Sequence, residues 1–321
     1  MLDSLKFVKG AICKKDLVPV LTHFRIEDGK VTGYNGTMSL QCPINVDITC
    51  TPNAKQLLKA IQGCDETVSL VMSESGKLVV SSGDYKVYVD CSTEDFPALK
   101  PQGKRIELTT DILKHLKTLA PFISKDASRQ WSQGILFRGQ SVYVTNNVIL
   151  LEQWVGTNIV DNLIVPECAV RELIRIGKEP VAMQMDDVCC SFIYEDGSFL
   201  RTQLVDGKFP DMAPIFDKIK ECNKVKAGFF ENLEKLVPFL DKQQRVFFTD
   251  KTMSTSLDKE TGCHINFNMQ SQGLSSCFNL KHLLLLKGVV RRIDMGAYPA
   301  PVGFYGNKLR GVIIGMKVLK E

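Results

Sequence analysis

The chain repeats one pattern three times, and that repetition limits its fold more than any other feature. Residues Leu108–Met212 read as an amphipathic run (TTDILKHLKTLAPFI), strand-like stretches around GILFRGQSVYVTNNVILLEQW, a second amphipathic run (PECAVRELIRI), and strands ending in LVDGKFPDM. Residues Leu2–Leu99 follow the same order: LDSLKFVKGAI, LTHFRIEDGKVTGYNGTMSL, PNAKQLLKAI, then strands ending in TEDFPAL. A fainter third copy runs FFENLEKLVPFL, RVFFTDKTMSTSLD, NLKHLLLLKGVV and closing strands through LRGVIIGMKV. A period of roughly a hundred residues marks whole domains, because solenoid units run at about 20–50 residues. The expected organisation is three domains of one fold, over 1–103, 104–222 and 223–321. Each is long enough to bury its own core.

Between the helical runs the pattern alternates with period two, as in Val142–Val144, Leu78–Val80 and Val87–Val89. Turn signals stand at Asp28-Gly29, Ser75-Gly76, Gly83-Asp84 and Asp196-Gly197. Each repeat therefore predicts an α+β unit, two helices on one side of an antiparallel sheet. Phe96-Pro97 and Phe209-Pro210 close the first two repeats at matching places. Proline cannot extend a ladder, so both dipeptides predict an exit from a sheet. The charged stretches Lys100–Arg105 and Asp217–Lys224 are the expected linkers.

Stepping each helical run at about 100° per residue separates an apolar arc from a basic one. Ile112, Leu113, Leu116, Leu119, Ala120 and Ile123 share a face, with Lys114 and Lys117 opposite. Val170, Leu173 and Ile174 oppose Arg171, Arg175 and Lys178. Ala54, Leu57, Leu58 and Ile61 leave Lys55 and Lys59 outward, and Leu2, Leu5, Val8 and Ile12 do the same for Lys6 and Lys9. In the third copy Leu233, Leu236, Val237 and Leu240 are expected inward and Lys235 and Lys242 outward, with Glu231 and Glu234 diluting the charge. The run Leu280–Val290 is apolar almost all round and has no assignable faces. On one helix, outward lysines are what any solvated face shows. Their recurrence on four helices, with Glu172 the exception, suits phosphate contacts that ignore base identity.

Other chemistries find little support. Eleven cysteines form no C-x-x-C pair, and their odd number argues against a disulfide framework. Cys263-His264 has no second pair to complete a zinc set, so neither metal nor cofactor is expected. The four histidines (His23, His115, His264, His282) stand beside no nucleophile motif, and no glycine-rich phosphate loop occurs. Asp186-Asp187 is the nearest approach to a metal pair, but adjacent carboxylates in a strand point to opposite faces. The N-terminal stretch carries charges within its apolar run, and no apolar run is long enough to span a bilayer. The expectation is a non-catalytic cytoplasmic protein. The net charge of +4 permits nucleic-acid contact without demanding it.

Four stretches together resemble a bacterial DNA polymerase sliding clamp, the beta subunit of the replicative polymerase. They are LVPVLTHFRIEDGKVTGYNGT, EDFPAL, RQWSQGILF followed by VTNN, and LIVPECAVRELIRI followed by LVDGKFPDM. The match covers the first two repeats well and the third weakly. It implies three tandem clamp domains, a head-to-tail homodimer ring with paired helices lining a central hole, and sheets outside. Edge strands would join across domain and subunit boundaries. The ring would hold double-stranded DNA topologically, with weak sequence-independent contacts, and give a tethered polymerase its processivity. ATP use would belong to a separate clamp loader. The alternatives are a non-encircling nucleic-acid-binding protein and an enzyme with an unrecognised nuclease-type site.

The resemblance also implies two sets of site residues. DNA contacts would come from Lys6, Lys9, Lys15, Lys55, Lys59, Lys114, Lys117, Lys125, Arg129, Trp131, Arg171, Arg175 and Lys178. Trp131 in its loop either packs or stacks on a base or sugar. A cleft for the short apolar-aromatic peptide of polymerase and clamp loader would be built from two segments. These are Asn147, Val148, Ile149 and Leu150, and Ile314, Gly315, Met316 and Lys317, followed by extra residues to Glu321. The family's usual Gly-His-Arg-Leu and Met-Pro-Met-Arg are replaced at these positions, which suggests a divergent member, phage-encoded or a specialised paralogue. Ile149 and Met316 are either cleft wall or ordinary core.

Overall fold

The structure is a computed structural model that describes all residues except 16–17, 66, 98, 110, 269–274 and 318–321, and the backbone alone at 158, 160 and 161. The first repeat contains α1 (Leu2–Val8), β1 (Arg25–Glu27), β2 (Lys30–Tyr34), β3 (Met38–Pro43), α2 (Ala54–Gln62), β4 (Ser69–Met72), β5 (Leu78–Ser82) and β6 (Tyr85–Val89). The second opens with β7 (Lys104–Glu107) and continues with α3 (Ile112–Leu119), β8 (Gly134–Thr145), β9 (Ile149–Pro166) and α4 (Glu167–Ile176). It closes with β10 (Ala182–Met185), β11 (Cys189–Ile193), β12 (Phe199–Gln203) and the short α5 (Ala213–Phe216). The third has β13 (Asn223–Lys224), α6 (Phe229–Leu236), β14 (Arg245–Phe248), β15 (Thr252–Ser254), β16 (His264–Asn266) and β17 (Ser276–Asn279). It ends with α7 (Leu280–Leu285), β18 (Val290–Ile293), β19 (Val302–Gly306) and β20 (Leu309–Ile313). The order helix, strands, helix, strands recurs three times.

The chain packs as two compact units, one of residues 1–113 and 165–205, the other of 114–164 and 206–321. The first holds a seven-stranded sheet, β1-β2-β3-β12-β11-β10-β7, and a three-stranded sheet, β4-β5-β6. Leu5 and Val8 of α1 are fully buried over β2 and β3, while Leu57, Ala60 and Ile61 of α2 are buried against β5 and β6. Gly33 lets the end of α1 approach β2, since a Cβ there would lie 2.8 Å from the Val8 carbonyl oxygen. Asp28 and Gly29 have φ of 51° and 67°, the pair of left-handed residues that a two-residue hairpin requires. β3 pairs with β12, so strands of the first and second repeats share one sheet.

The second unit holds the sheets β13-β18-β19-β20-β9-β8 and β16-β15-β14-β17. Pairing of β20 with β9 again joins strands of two repeats. Phe229, Phe248 and Phe278 form a buried aromatic core, with ring centroids 6.1 and 5.9 Å apart along the chain of contacts. All strand pairs described are antiparallel, as the α+β expectation requires.

Several expectations need correction. The linkers are partly strand: Lys104 and Arg105 pair with Met185 and Gln184, and Asn223 and Lys224 pair with β18. An edge strand this short shows too little alternation to register in the sequence. Val237 is 46% exposed instead of inward. The helix stops at Leu236 and Val237–Phe239 form a 3-10 turn around Pro238, so the 100° phase no longer applies. The apolar run from Leu280 is two elements, because α7 ends at Leu285 and the chain turns through Gly288 (φ 78°) into β18. Asp186-Asp187 lies in the β10–β11 turn, not in a strand, and the Asp186 carboxylate accepts from the Val188 and Cys189 N–H groups. No helix among the described residues is long and apolar enough to cross a membrane.

Candidate nucleic-acid interface and partner groove

Lys6 and Lys9 of α1 and its extension, Lys55 and Lys59 of α2, and Lys114 and Lys117 of α3 are all exposed. The cause is local: burial of Leu5 and Val8, of Leu57 and Ile61, and of Leu113, Leu116 and Leu119 turns the opposite arc outward. Asn53 starts α2 by accepting from the Gln56 N–H at 3.1 Å. Between α1 and α2 lies a recess of about 1090 Å³ with Leu58 and Ile12 in its walls and Lys6, Lys9, Lys14, Lys55 and Lys59 around it. Leu58 is thus half-buried instead of core. Lys15 and Lys125 are likewise exposed.

The cations of α4 have a different setting. Arg171 pairs with Glu167 at 2.5 Å and Lys178 with Asp196 at 3.6 Å. Arg175 grips the largely buried Glu172 at 2.5 Å and donates to the carbonyl oxygens of Lys6 (3.0 Å) and Phe7 (2.7 Å) in the last turn of α1. Carbonyls of a last helical turn run short of helical donors, so a guanidinium there caps the α1 terminus. A methyl group at Gly10 would overlap the Glu172 carboxylate as Arg175 holds it, so a side chain there would have to displace that carboxylate. Arg175 therefore joins two repeats instead of waiting for a ligand. Only the 3.6-residue period was legible in the sequence, and it could not show that carbonyls 168 residues away supply a partner.

In the 125–131 loop, Arg129 Nη1 donates to Asn147 Oδ1 at 3.1 Å, and Asn147 Nδ2 donates to Ser124 Oγ at 3.1 Å. The loop expected at DNA and the segment expected in the cleft are thus hydrogen-bonded together. Asn147 has φ 71°, a left-handed conformation asparagine tolerates. Trp131 is half-buried and packs edge-on to Phe209 with centroids 5.1 Å apart. The exposed tryptophan is Trp154, at 42%, with the Lys308 ammonium 4.4 Å from its ring centroid. The alternation of buried and outward residues from Leu151 to Thr157 could have identified it.

The two cleft segments, far apart in the chain, meet. Ile313 registers with Ile149 across β20 and β9, and the Ile314 N–H donates to the Val148 carbonyl at 2.9 Å. Beyond it, the Met316 N–H donates to Cys277 O at 2.7 Å and the Tyr298 hydroxyl donates to Met316 O at 2.7 Å. Gly315 lies against the Tyr298 ring, where a side chain would collide. Ile149 is fully buried and Leu150 nearly so, which makes both core instead of cleft wall. β9 is an inner strand of that sheet, between β20 and β8, and Ile149, Leu150 and Leu151 are buried in succession there. The surface left for a ligand consists of Val148, Ile314 (49% exposed), Met316 and the exposed Lys317. The tail beyond Lys317 lies outside the described residues.

Among the described residues no group of three or more His, Cys, Asp or Glu side chains could hold a metal ion. His23 Nδ1 contacts Pro19 O at 2.9 Å and His264 Nε2 contacts Thr261 O at 2.8 Å, each within its own turn. His282 is half-buried with Nδ1 unpartnered, and burial lowers its pKa.

No protein-family profile matches the chain. The beta sliding clamp of Chlamydia muridarum is 25% identical over 283 residues, spanning 81% of this chain and 75% of that protein. That of Chlamydia trachomatis is 23% identical over 284 residues, spanning 81% and 66%. The beta subunit of the DNA polymerase of Streptococcus pyogenes superposes with a TM-score of 0.82 at 15% identity, covering 99% of this chain and 97% of that one. The DnaN sliding clamp of Pseudomonas aeruginosa, solved bound to griselimycin, gives a TM-score of 0.82 at 17% identity over the same shares. With sequence relatives of that name at 23–25% identity and one fold shared over nearly its whole length, the chain is similar to the beta sliding clamps, the DNA polymerase III beta subunits, and has their fold.

Proposed function

We propose that this chain is a sliding clamp: a head-to-tail dimer of three-domain protomers that encircles duplex DNA and tethers a replicative polymerase. The supporting observation is the exposed lysine pair at the same kind of position on α1, α2 and α3, backed each time by a buried apolar arc. Flexible ammonium groups without interleaved aromatics neutralise phosphates without reading bases, which permits sliding. The domains are taken as 1–103, 104–222 and 223–321. Trp131 and Arg175 are left out of the contact set, since packing and ion pairing occupy them.

The surface of Val148, Ile314 and Met316 suits a short apolar-aromatic peptide from a polymerase or clamp loader. Methionine adapts to varied apolar partners. Lys317 at the rim favours an acidic neighbour in that peptide. The protein has no catalytic role in this reading and acts in the cytoplasm at the nucleoid.

Negative-stain electron microscopy at micromolar concentration tests the ring. Closed, six-lobed particles are expected; three-lobed particles persisting at high concentration would sink autonomous encirclement. Retention on closed circular DNA after loading, with loss from linear DNA, separates a clamp from a non-encircling binder that holds both alike.

A further inference from the structure

Cys50 and Cys91 are brought together by a short antiparallel pairing that no sequence motif announces. Pro52 bridges Cys91, the Asn53 N–H donates to Asp90 O at 2.8 Å, and the Ser92 N–H donates to Thr51 O at 2.9 Å. Alternation places Cys50 on the same face as Pro52, so its side chain meets Cys91 diagonally. The two thiols are close enough for each to be the main influence on the other's ionisation, and the Cys91 thiol donates to Val89 O at 3.8 Å. Cys50 is 5% exposed and held from behind by paired hydrogen bonds with Ile26, while Cys91 is half-buried and reachable. All eleven cysteines are free thiols.

We propose that Cys50 and Cys91 form a dithiol modification site that exchanges with low-molecular-weight disulfides of the glutathione type and closes to an intramolecular disulfide. Cys91 is the attacking thiol: it is the more accessible of the two, and the neighbouring Cys50 thiol draws its pKa down to about 7, whereas the Cys91 neighbour and burial push Cys50 up. A thiol titrating near neutral pH combines thiolate population with nucleophilicity. The Cys91 thiolate attacks one sulfur of glutathione disulfide, the S–S bond breaks, and one glutathione thiolate leaves and takes up the Cys91 proton. Cys50 then gives its proton to solvent, attacks the Cys91 sulfur of the mixed disulfide and expels the second glutathione thiolate, which is protonated in turn. Two protein thiols lose two electrons, and one glutathione disulfide becomes two glutathiones. The product bond ties the segment leading into the Asn53 cap of α2 to the end of β6.

The test uses the full-length reduced protein, incubated with glutathione disulfide, quenched in acid, alkylated and mapped by mass spectrometry. One cross-link between the Cys50 and Cys91 peptides is expected, with the loss of two hydrogen masses. Exposed Cys168, which has no neighbouring thiol among the described residues to draw its pKa down, should remain open to alkylation and serves as the internal comparison. Cys50 and Cys91 both alkylated while other cysteines carry glutathione would overturn the proposal. In Cys50→Ala, which cannot close the ring, Cys91 should accumulate as a stable mixed disulfide. A Cys91 that takes no glutathione there removes it as the attacking thiol.

Discussion

Arg175 donates to two carbonyls at the end of α1 while holding Glu172, whose side chain is 10% exposed. Arg175→Ala would leave that carboxylate and both carbonyls short of partners. A buried pair broken on one side costs about 3–5 kcal/mol; partial exposure of Arg175 reduces the expectation to about 2–3 kcal/mol. Urea unfolding should show this as a lower midpoint, and an unchanged midpoint would mean the contact is dispensable. His282 behaves oppositely to a surface imidazole. Its folded pKa lies below the ordinary 6.5, so at lower pH the unfolded chain binds the proton more readily. Stability should fall as pH drops through about 6.5, and the decline should be shallower in His282→Gln. Equal declines in both proteins would assign the effect to other groups.

At the scale of the element, α2 shows how a helix prepares a basic face. Asn53 caps it, Leu57 and Ile61 seat it, and Lys55 and Lys59 remain exposed one turn apart. Neutralising both as Lys55→Gln and Lys59→Gln should weaken DNA association alike for all sequences. It should also lower the slope of log affinity against log salt by about two, near 0.9 per lost phosphate contact. An unchanged slope removes α2 from the contact set. The strand pair β9–β20 supports a contrasting pair of predictions. Ile149→Ala empties a fully buried site and should cost about 3 kcal/mol of stability. Ile314→Asp, on a side chain 49% exposed, should leave stability nearly unchanged yet abolish calorimetric binding of an apolar-aromatic peptide. If both variants bind the peptide normally, the groove lies elsewhere.

At the scale of the whole molecule, the threefold recurrence of helix, strands, helix, strands was readable because each cue is local. Apolar residues at helical spacing, alternation in strands and Asp28-Gly29 at a hairpin act within a few residues of themselves. Amphipathic spacing thus determined by itself that Lys6, Lys9, Lys55, Lys59, Lys114 and Lys117 point outward. The candidate site was legible only in part. Joining β3 to β12 and β9 to β20, seating Ile149 in the core and turning Trp131 onto Phe209 depend on partners distant in the chain. Nor does local pattern separate Arg175, drawn to the α1 carbonyls, from a free lysine with the same outward phase. Sequence spacing determined which side chains leave each element. Tertiary structure alone decided what they meet, because hydrogen bonds and ion pairs form between groups that folding, not chain order, makes neighbours.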